Sequence, residues 1–349
     1  MPFSAQELEN AANAVIQFHY NTPQVRSQSI QDKPLLEAMT NAEKTFPGGK
    51  DEITFAVKGT YTTTIQGFSD SDTVSYTNPS NIKRGRAPWK LIHAGLEITM
   101  HELLKAGISI DEGSDGDLDR AKRHSNSEKV VLADMLKDKV EDLMEGTDRG
   151  MNSMYWKDGT QDSKQVPGIR SFVLDDPTTA TVVLGIDQSA NTWWRNRASL
   201  ALSTASAAAQ VVVQKLQKEW RQLRRYGGRP NLVLCGSDFL DWMEQELRSK
   251  GNYTMEGWTA KKSMDASLAD ISFKGVNFQY DPTLDDDGKA KYCYVLDTRH
   301  IYPMVIEGES MKKHSPERPA NQYLFYRALT WVGGLVCDQR NAQGVYSIA

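Results

Sequence analysis

The arrangement in this chain that most resembles an activated nucleophile is Leu232-Val-Leu-Cys-Gly-Ser237-Asp-Phe-Leu240. The apolar run after Pro230 predicts a strand buried on both faces, and Phe239, Leu240, Met243 and Leu247 then recur at helical spacing. A serine at such a strand-turn-helix corner could attack a carbonyl. That elbow needs glycine two residues to either side, however, and those positions hold Cys235 and Phe239. Ser237 therefore reads as a helix N-cap, with Asp238 adding negative charge to the first turn.

Other chemistry-bearing residues fail similar tests. The six histidines (19, 93, 101, 124, 300 and 314) form no H-x-x-x-H pair and none stands at zinc spacing from a cysteine. Asp115, Asp117 and Asp119 alternate like the start of a calcium loop, but Arg120 occupies the glycine position and Asn126 the final glutamate position. Neither phosphate-cradling glycine motif is present. The Trp193-Trp194 pair could stack on bases but reads as core. Lys215, Lys218, Arg221, Arg224 and Arg225 could meet phosphate, yet Glu219 among them and their place near a helix C-terminus favour a solvated face. No catalytic, cofactor-binding or metal-binding residue is assigned, and the expectation is a protein without enzymatic activity.

Composition narrows the class further. The 349 residues are 39% hydrophobic and 25% charged, with a net charge of -4 and a pI near 5.9, which suits a folded protein that does not hold nucleic acid by bulk attraction. Cys235, Cys293 and Cys337 are too scattered for a disulfide framework or metal knuckle. The N-terminus lacks a signal-peptide pattern and no window holds 18 apolar residues, so a soluble protein made in the cytoplasm, without membrane contact, is expected.

The elements that would position these residues follow in order. Residues 4–19 predict a helix capped by Ser4, and Pro23–Lys50 an irregular arm with a short helix at Leu35–Lys44. Ile53, Phe55 and Val57 alternate with polar positions, Gly59 interrupts, and Tyr61–Ile65 continues a Thr-rich strand. A polar stretch through Arg86 precedes renewed alternation at Trp89–Met100. The simplest construction is a long two-stranded hairpin with a broad charged tip, which needs a partner surface because isolated ribbons are marginal in water. The alternative is that its strands join a larger sheet of the same subunit. Ser125 and Glu128 predict a capping box opening a helix with Leu132, Leu136, Val140, Leu143 and Met144 on one stripe, running at least to Glu145 and loosened by Gly146 and Gly150. Thr204–Tyr226 is the longest helix candidate. Strands are predicted at Val182–Asp187, at Ile271–Tyr280 and Tyr292–Leu296 joined through the Asp281–Gly288 turn, and at Tyr323–Val336 and Gly344–Ile348.

This order of elements, with Gly227-Gly-Arg-Pro-Asn-Leu-Val-Leu-Cys-Gly-Ser-Asp-Phe-Leu240, Ile186-Asp187, Trp193–Asn196 and the ending Ala328–Tyr346, resembles the major capsid proteins of tailed bacteriophages. The resemblance implies an α+β fold of the HK97-like type. Residues 1–49 would be an N-terminal arm, 50–104 an extended loop lying over a neighbouring subunit, 105–165 and 321–349 a peripheral domain with the spine helix, and 166–320 an axial domain. It also implies a homo-oligomer of pentamers and hexamers forming an icosahedral shell around double-stranded DNA, with non-specific contact to that DNA. The expected location is the virion, after synthesis in a host bacterium. A separate scaffolding protein, a portal and a decoration protein are expected partners. Asp70, Asp72, Lys83, Arg84 and Arg86 are candidate inter-subunit contacts at the loop tip. An encapsulin-like compartment shell shares the implied fold. Two readings of other classes are an α/β hydrolase using Ser237 and a nucleic-acid-binding protein using the basic helix at 215–225.

Overall fold

The computed structural model describes residues 3–4, 31–76, 81–105, 110–111, 126–249, 272–314 and 324–349. The body of the predicted N-terminal helix, the Asp115–Asp119 loop and Ser125 lie outside them. Ser4, expected to cap that helix, instead sits in a two-residue strand paired parallel with Ile110–Asp111. The chain divides into two compact units, one built from residues 1–31, 91–151 and 308–332, the other from 32–90, 152–307 and 333–349.

The helix Asn126–Trp156 contributes its residues through Met151 to the first unit. It spans 31 residues, ~46 Å at the α-helical rise, and runs through Gly146 and Gly150, where the sequence predicts loosening. Packing explains the continuation: beyond both glycines Met151, Met154, Tyr155 and Trp156 are all buried, which outweighs the cost of a glycine in a helix. Lys139 Nζ fixes the helix locally, donating to Glu102 Oε2 at 2.8 Å and to the Glu97 carbonyl at 3.4 Å. The short strand Lys312–Lys313 pairs with the long strand Leu324–Cys337, as does Lys90–Thr99. No described helix is long and apolar enough to cross a membrane.

The second unit holds a six-stranded mixed sheet in the order Ser272–Phe273, Val276–Tyr280, Leu232–Cys235, Tyr292–Leu296, Gly344–Ile348, Arg197–Leu202. The fully apolar strand Leu232–Cys235 lies inside it, every residue buried, as its unbroken hydrophobic run predicts. It separates the two strands that the sequence joins directly: Val276–Tyr280 runs parallel on one side and Tyr292–Leu296 antiparallel on the other. Their connection is a helical turn, Pro282–Asp286, whose N-cap Asp281 accepts from Thr283 N at 2.9 Å. The same buried carboxylate accepts from the indole of Trp156 at 2.9 Å, and Asn152 ties the helix end to Leu36 N and Thr283 Oγ1.

Helices Val211–Leu223 and Ser237–Ser249 cover one face of this sheet, burying Val212, Leu216, Trp220, Phe239 and Met243 against Val233, Cys235, Cys293 and Val295. The first of them starts seven residues later than the Thr204 boundary its composition suggests. A 3₁₀ turn at Ala207–Ala209 and a left-handed Gln210 precede it. Its start is fixed from outside by the buried Glu246, whose carboxylate accepts from Val212 N at 3.2 Å and Val213 N at 3.0 Å. A side chain from the neighbouring helix thus satisfies donors that a local cap ordinarily would.

On the outer edge of the sheet Arg197 forms a two-bond pair with Glu219, at 2.8 and 3.2 Å, and Lys215 lies 3.2 Å from the same carboxylate. Burial pushes the Glu219 carboxyl up, but the Arg197 hydrogen bonds and the two positive charges outweigh it and hold the group below its ordinary value. Its stabilising contribution is therefore present above the unfolded carboxylate pKa and is lost as pH falls through the lower folded value. Glu219→Gln is expected to cost about 1–2 kcal/mol near pH 7, discounted because Arg197 is partly solvated. Urea midpoints should converge for the two proteins below the normal carboxylate range. A gap independent of pH would refute the assignment.

Candidate assembly surface

Strands Glu52–Lys58 and Ile82–Pro88 pair antiparallel from Glu52↔Pro88 to Lys58↔Ile82. Ile53 and Ala87 anchor the base of this hairpin, buried with Tyr302 and Val336. Gly85 and Gly334 permit the close approach: a Cβ on Gly85 would stand 2.3 Å from the Phe55 ring, and one on Gly334 2.4 Å from the Pro88 carbonyl oxygen. The ladder ends at Gly59, where the Trp193 indole occupies the space a side chain would need, 2.0 Å from an ideal Cβ. Trp194, its neighbour, is buried and donates to the Val183 carbonyl, so the tryptophan pair is packing, as predicted.

Beyond Gly59 the backbone ladder stops. Tyr61–Ile65, expected to continue the strand, forms no ladder among the described residues. Side chains bridge the loop instead. Asn81 Nδ2 donates to the Thr60 carbonyl at 2.8 Å and Thr62 Oγ1 at 3.3 Å, and Gln66 Nε2 donates to Ser75 Oγ at 2.9 Å. The tip closes as a turn in which Ser69 N donates to Asp72 Oδ2 at 2.8 Å and Asp72 N to the Ser69 carbonyl.

The five predicted contact residues fall in two places. Asp70 and Asp72 lie in the tip turn, where the Asp72 carboxylate is already engaged. Lys83, Arg84 and Arg86 lie in the paired strand opposite Val57, Ala56 and Thr54, well short of the tip where the sequence places them. Arg84 and Arg86 share one face of the ribbon and Lys83 projects from the other, since successive residues of a strand alternate. Arg86 also fixes the hairpin, its N–H donating to the Leu184 carbonyl at 2.8 Å, while its guanidinium stands 3.9 Å from Glu52 in an exposed pair.

A different set dominates the loop surface. Tyr61 is 83% exposed, Ile65 100%, Phe68 70% and Tyr76 93%. Scattered apolar exposure is ordinary, but four large side chains on one loop constitute a surface that water covers poorly. The signal is visible in the sequence as apolar residues punctuating an otherwise polar stretch, of which only Tyr61–Ile65 reads as strand.

The other chemical candidates are structurally committed. Ser237 is the first helical residue and Gly236 is the cap, because the Gly236 carbonyl accepts from Leu240 N. Ser237 N donates to Asp285 Oδ1 at 3.0 Å and Phe239 N to the Ala290 carbonyl. A Cβ at Gly236 would stand 2.3 Å from the Ala290 oxygen, which explains glycine at that corner without invoking catalysis. Among the described residues His300 Nδ1 pairs with Asp338 and His314 Nε2 with Thr330, and no cluster of metal-ligating residues is found. On the basic helix Lys215 is paired with Glu219.

No protein-family model and no curated protein matches the sequence. Solved structures do match over nearly the whole chain. A subunit from the capsid of cyanophage A-1(L) superposes with a TM-score of 0.61 at 13% identity, covering 93% of this chain and 95% of that one. A chain from the capsid of Myoviridae phage XM1 gives 0.56 at 10%, covering 94% and 96%, and a chain from a structure of Gordonia phage Cozz 0.55 at 11%, covering 94% and 90%. The chain has the HK97-like capsid fold. The α+β class expected from the sequence is thereby established.

Proposed function

We propose that the chain is a major capsid protein that self-assembles into the icosahedral shell of a tailed bacteriophage. The observation that carries this reading is the end-to-end match to capsid subunits, 93% of this chain against 95% of the cyanophage subunit. The exposed apolar loop supports it, because such a surface suits burial against a second copy. The role is structural, with no catalytic chemistry, and the location is the virion. In this reading 1–49 is the arm, 50–104 the extended loop, 105–165 and 321–349 the peripheral domain and 166–320 the axial domain. A separate scaffolding protein, a portal and a decoration protein complete the partners, and contact with packaged double-stranded DNA is non-specific and local, since the net charge of -4 gives no bulk attraction.

Negative-stain microscopy of the expressed full chain, alone and with the phage's scaffolding protein, tests the proposal. Shells or ring-shaped capsomers are expected. A monomer persisting across concentration, salt and scaffold would overturn it. Particles that enclose a protein cargo and never DNA would reassign the shell to a compartment.

A further inference from the structure

Cys235 and Cys293 lie directly opposite each other on adjacent antiparallel strands, and both are wholly buried free thiols. Which kind of pair they form can be read from the surrounding hydrogen bonds. The Cys235 carbonyl points away from its partner, accepting from Asp281 N beside the parallel strand. Gly236 N, one residue on, bonds across to the Tyr292 carbonyl. On the far side of Tyr292–Leu296, Ile348 N bonds to the Lys291 carbonyl, so Lys291 and Cys293 turn their backbone groups toward the last strand while Tyr292 and Tyr294 turn theirs toward Leu232–Cys235. The cysteines are thus a non-hydrogen-bonded pair, the kind in which opposite Cα atoms approach to about 4.5 Å and side chains on one face come closest. That separation lies within the span a disulfide bridges.

We propose that Cys235 and Cys293 form a redox-closable latch across the middle of the six-stranded sheet. In the closed form one S–S bond would tie Leu232–Cys235 to Tyr292–Leu296. The pairing is independent of what the subunit assembles into. The oxidant is a low-molecular-weight disulfide. One cysteine thiolate attacks it, releasing one small thiol and leaving a mixed disulfide; the second cysteine then attacks that bond and releases the other. Two protein thiols give up two protons and two electrons, and the small disulfide is reduced to two thiols. Burial beneath the two covering helices keeps both sulfurs from solvent and pushes the Cys235 thiol well above its ordinary value. The latch therefore stays open in the intact lobe and closes when the chain folds, or opens transiently, in an oxidising medium. Cys337 is buried in a different strand and takes no part.

The test is to refold the full chain from urea with oxidised glutathione or with reduced glutathione, then map disulfides by mass spectrometry of non-reduced digests. The expected product is an intramolecular link between the peptides carrying 235 and 293, in the parent and in Cys337→Ala alike, with a denaturation midpoint raised and then returned by dithiothreitol. Cys235→Ala should leave Cys293 unlinked, and if that variant does not fold the parent and Cys337→Ala still decide. Recovery of both peptides as free thiols, as glutathione adducts only, or linked to Cys337 would overturn the proposal.

Discussion

Replacing Ile65, Phe68 and Tyr76 together with serine is expected to abolish assembly into shells while leaving the midpoint of subunit unfolding unchanged. The two halves of that expectation come from the same fact: in the isolated chain these side chains contact almost nothing, so their removal costs the fold little. Burying each against a neighbouring copy would contribute about 1.5–3 kcal/mol, and the loss would recur at every subunit. Neutralising Lys83, Arg84 and Arg86 is the instructive comparison. Exposed ion pairs are worth about 0–1 kcal/mol each, so this variant should still assemble, into shells that dissociate more readily. Its deficit should shrink at high salt, where the parent's pairs are screened as well. The apolar variant should show no such convergence. Sedimentation and microscopy at two salt concentrations distinguish the outcomes. Normal particles from the apolar variant would refute the role of the loop, and normal, salt-insensitive particles from the charge variant would remove those three residues from the interface.

Local periodicity made much of the scaffold legible. Leu232–Cys235 reads as a buried strand because all four residues are apolar, and it is one; the two helices over the sheet follow from their apolar stripes. Errors arose where a tertiary partner decides. Tyr61–Ile65 reads as a strand, but the bonds that reach it among the described residues come from the side chain of Asn81, to Thr62 and the neighbouring Thr60. Ser237 has the chemistry of a cap, yet the turn places Gly236 at that position because only glycine fits against Ala290. The start of Val211–Leu223 depends on Glu246, 33 residues beyond Val213, and no local signal announces a cap delivered from another helix. The same limit hid the loop's apolar surface: exposure of Ile65 and Tyr76 is a property of what the loop fails to touch, which periodicity does not encode.

The residue least visible in the sequence should carry the largest stability effect. Arg340 stands in a 3₁₀ turn between the last two strands, yet it is fully buried. Its Nε donates to the Phe172 carbonyl at 2.7 Å and its Nη2 to Gln188 Oε1 at 3.1 Å and Asn196 Oδ1 at 3.0 Å, with the guanidinium 5.7 Å from the Trp194 ring centroid. Every one of these oxygens is neutral. Burial accordingly lowers the guanidinium pKa to about 10, still charged near neutrality, so the group carries a desolvation cost that no carboxylate offsets. What it supplies is connection: Phe172, Gln188 and Asn196 come from three separate segments, and Asn196 passes the link on through paired bonds with Leu174. Arg340→Ala would leave a cavity and strip the buried acceptors of a donor, an expected loss of about 3–5 kcal/mol. Arg340→Lys should recover little, since one ammonium cannot reproduce a planar fork reaching three directions. Arg340→Met separates the contributions, because it keeps most of the volume and removes the desolvated charge together with the hydrogen bonds. Urea midpoints of the dissociated subunits should rank the parent above Met, and Met above both Ala and Lys. A Met variant equal to the parent would mean that packing alone holds these segments, and that the hydrogen bonds of Arg340 only balance the cost of burying its charge.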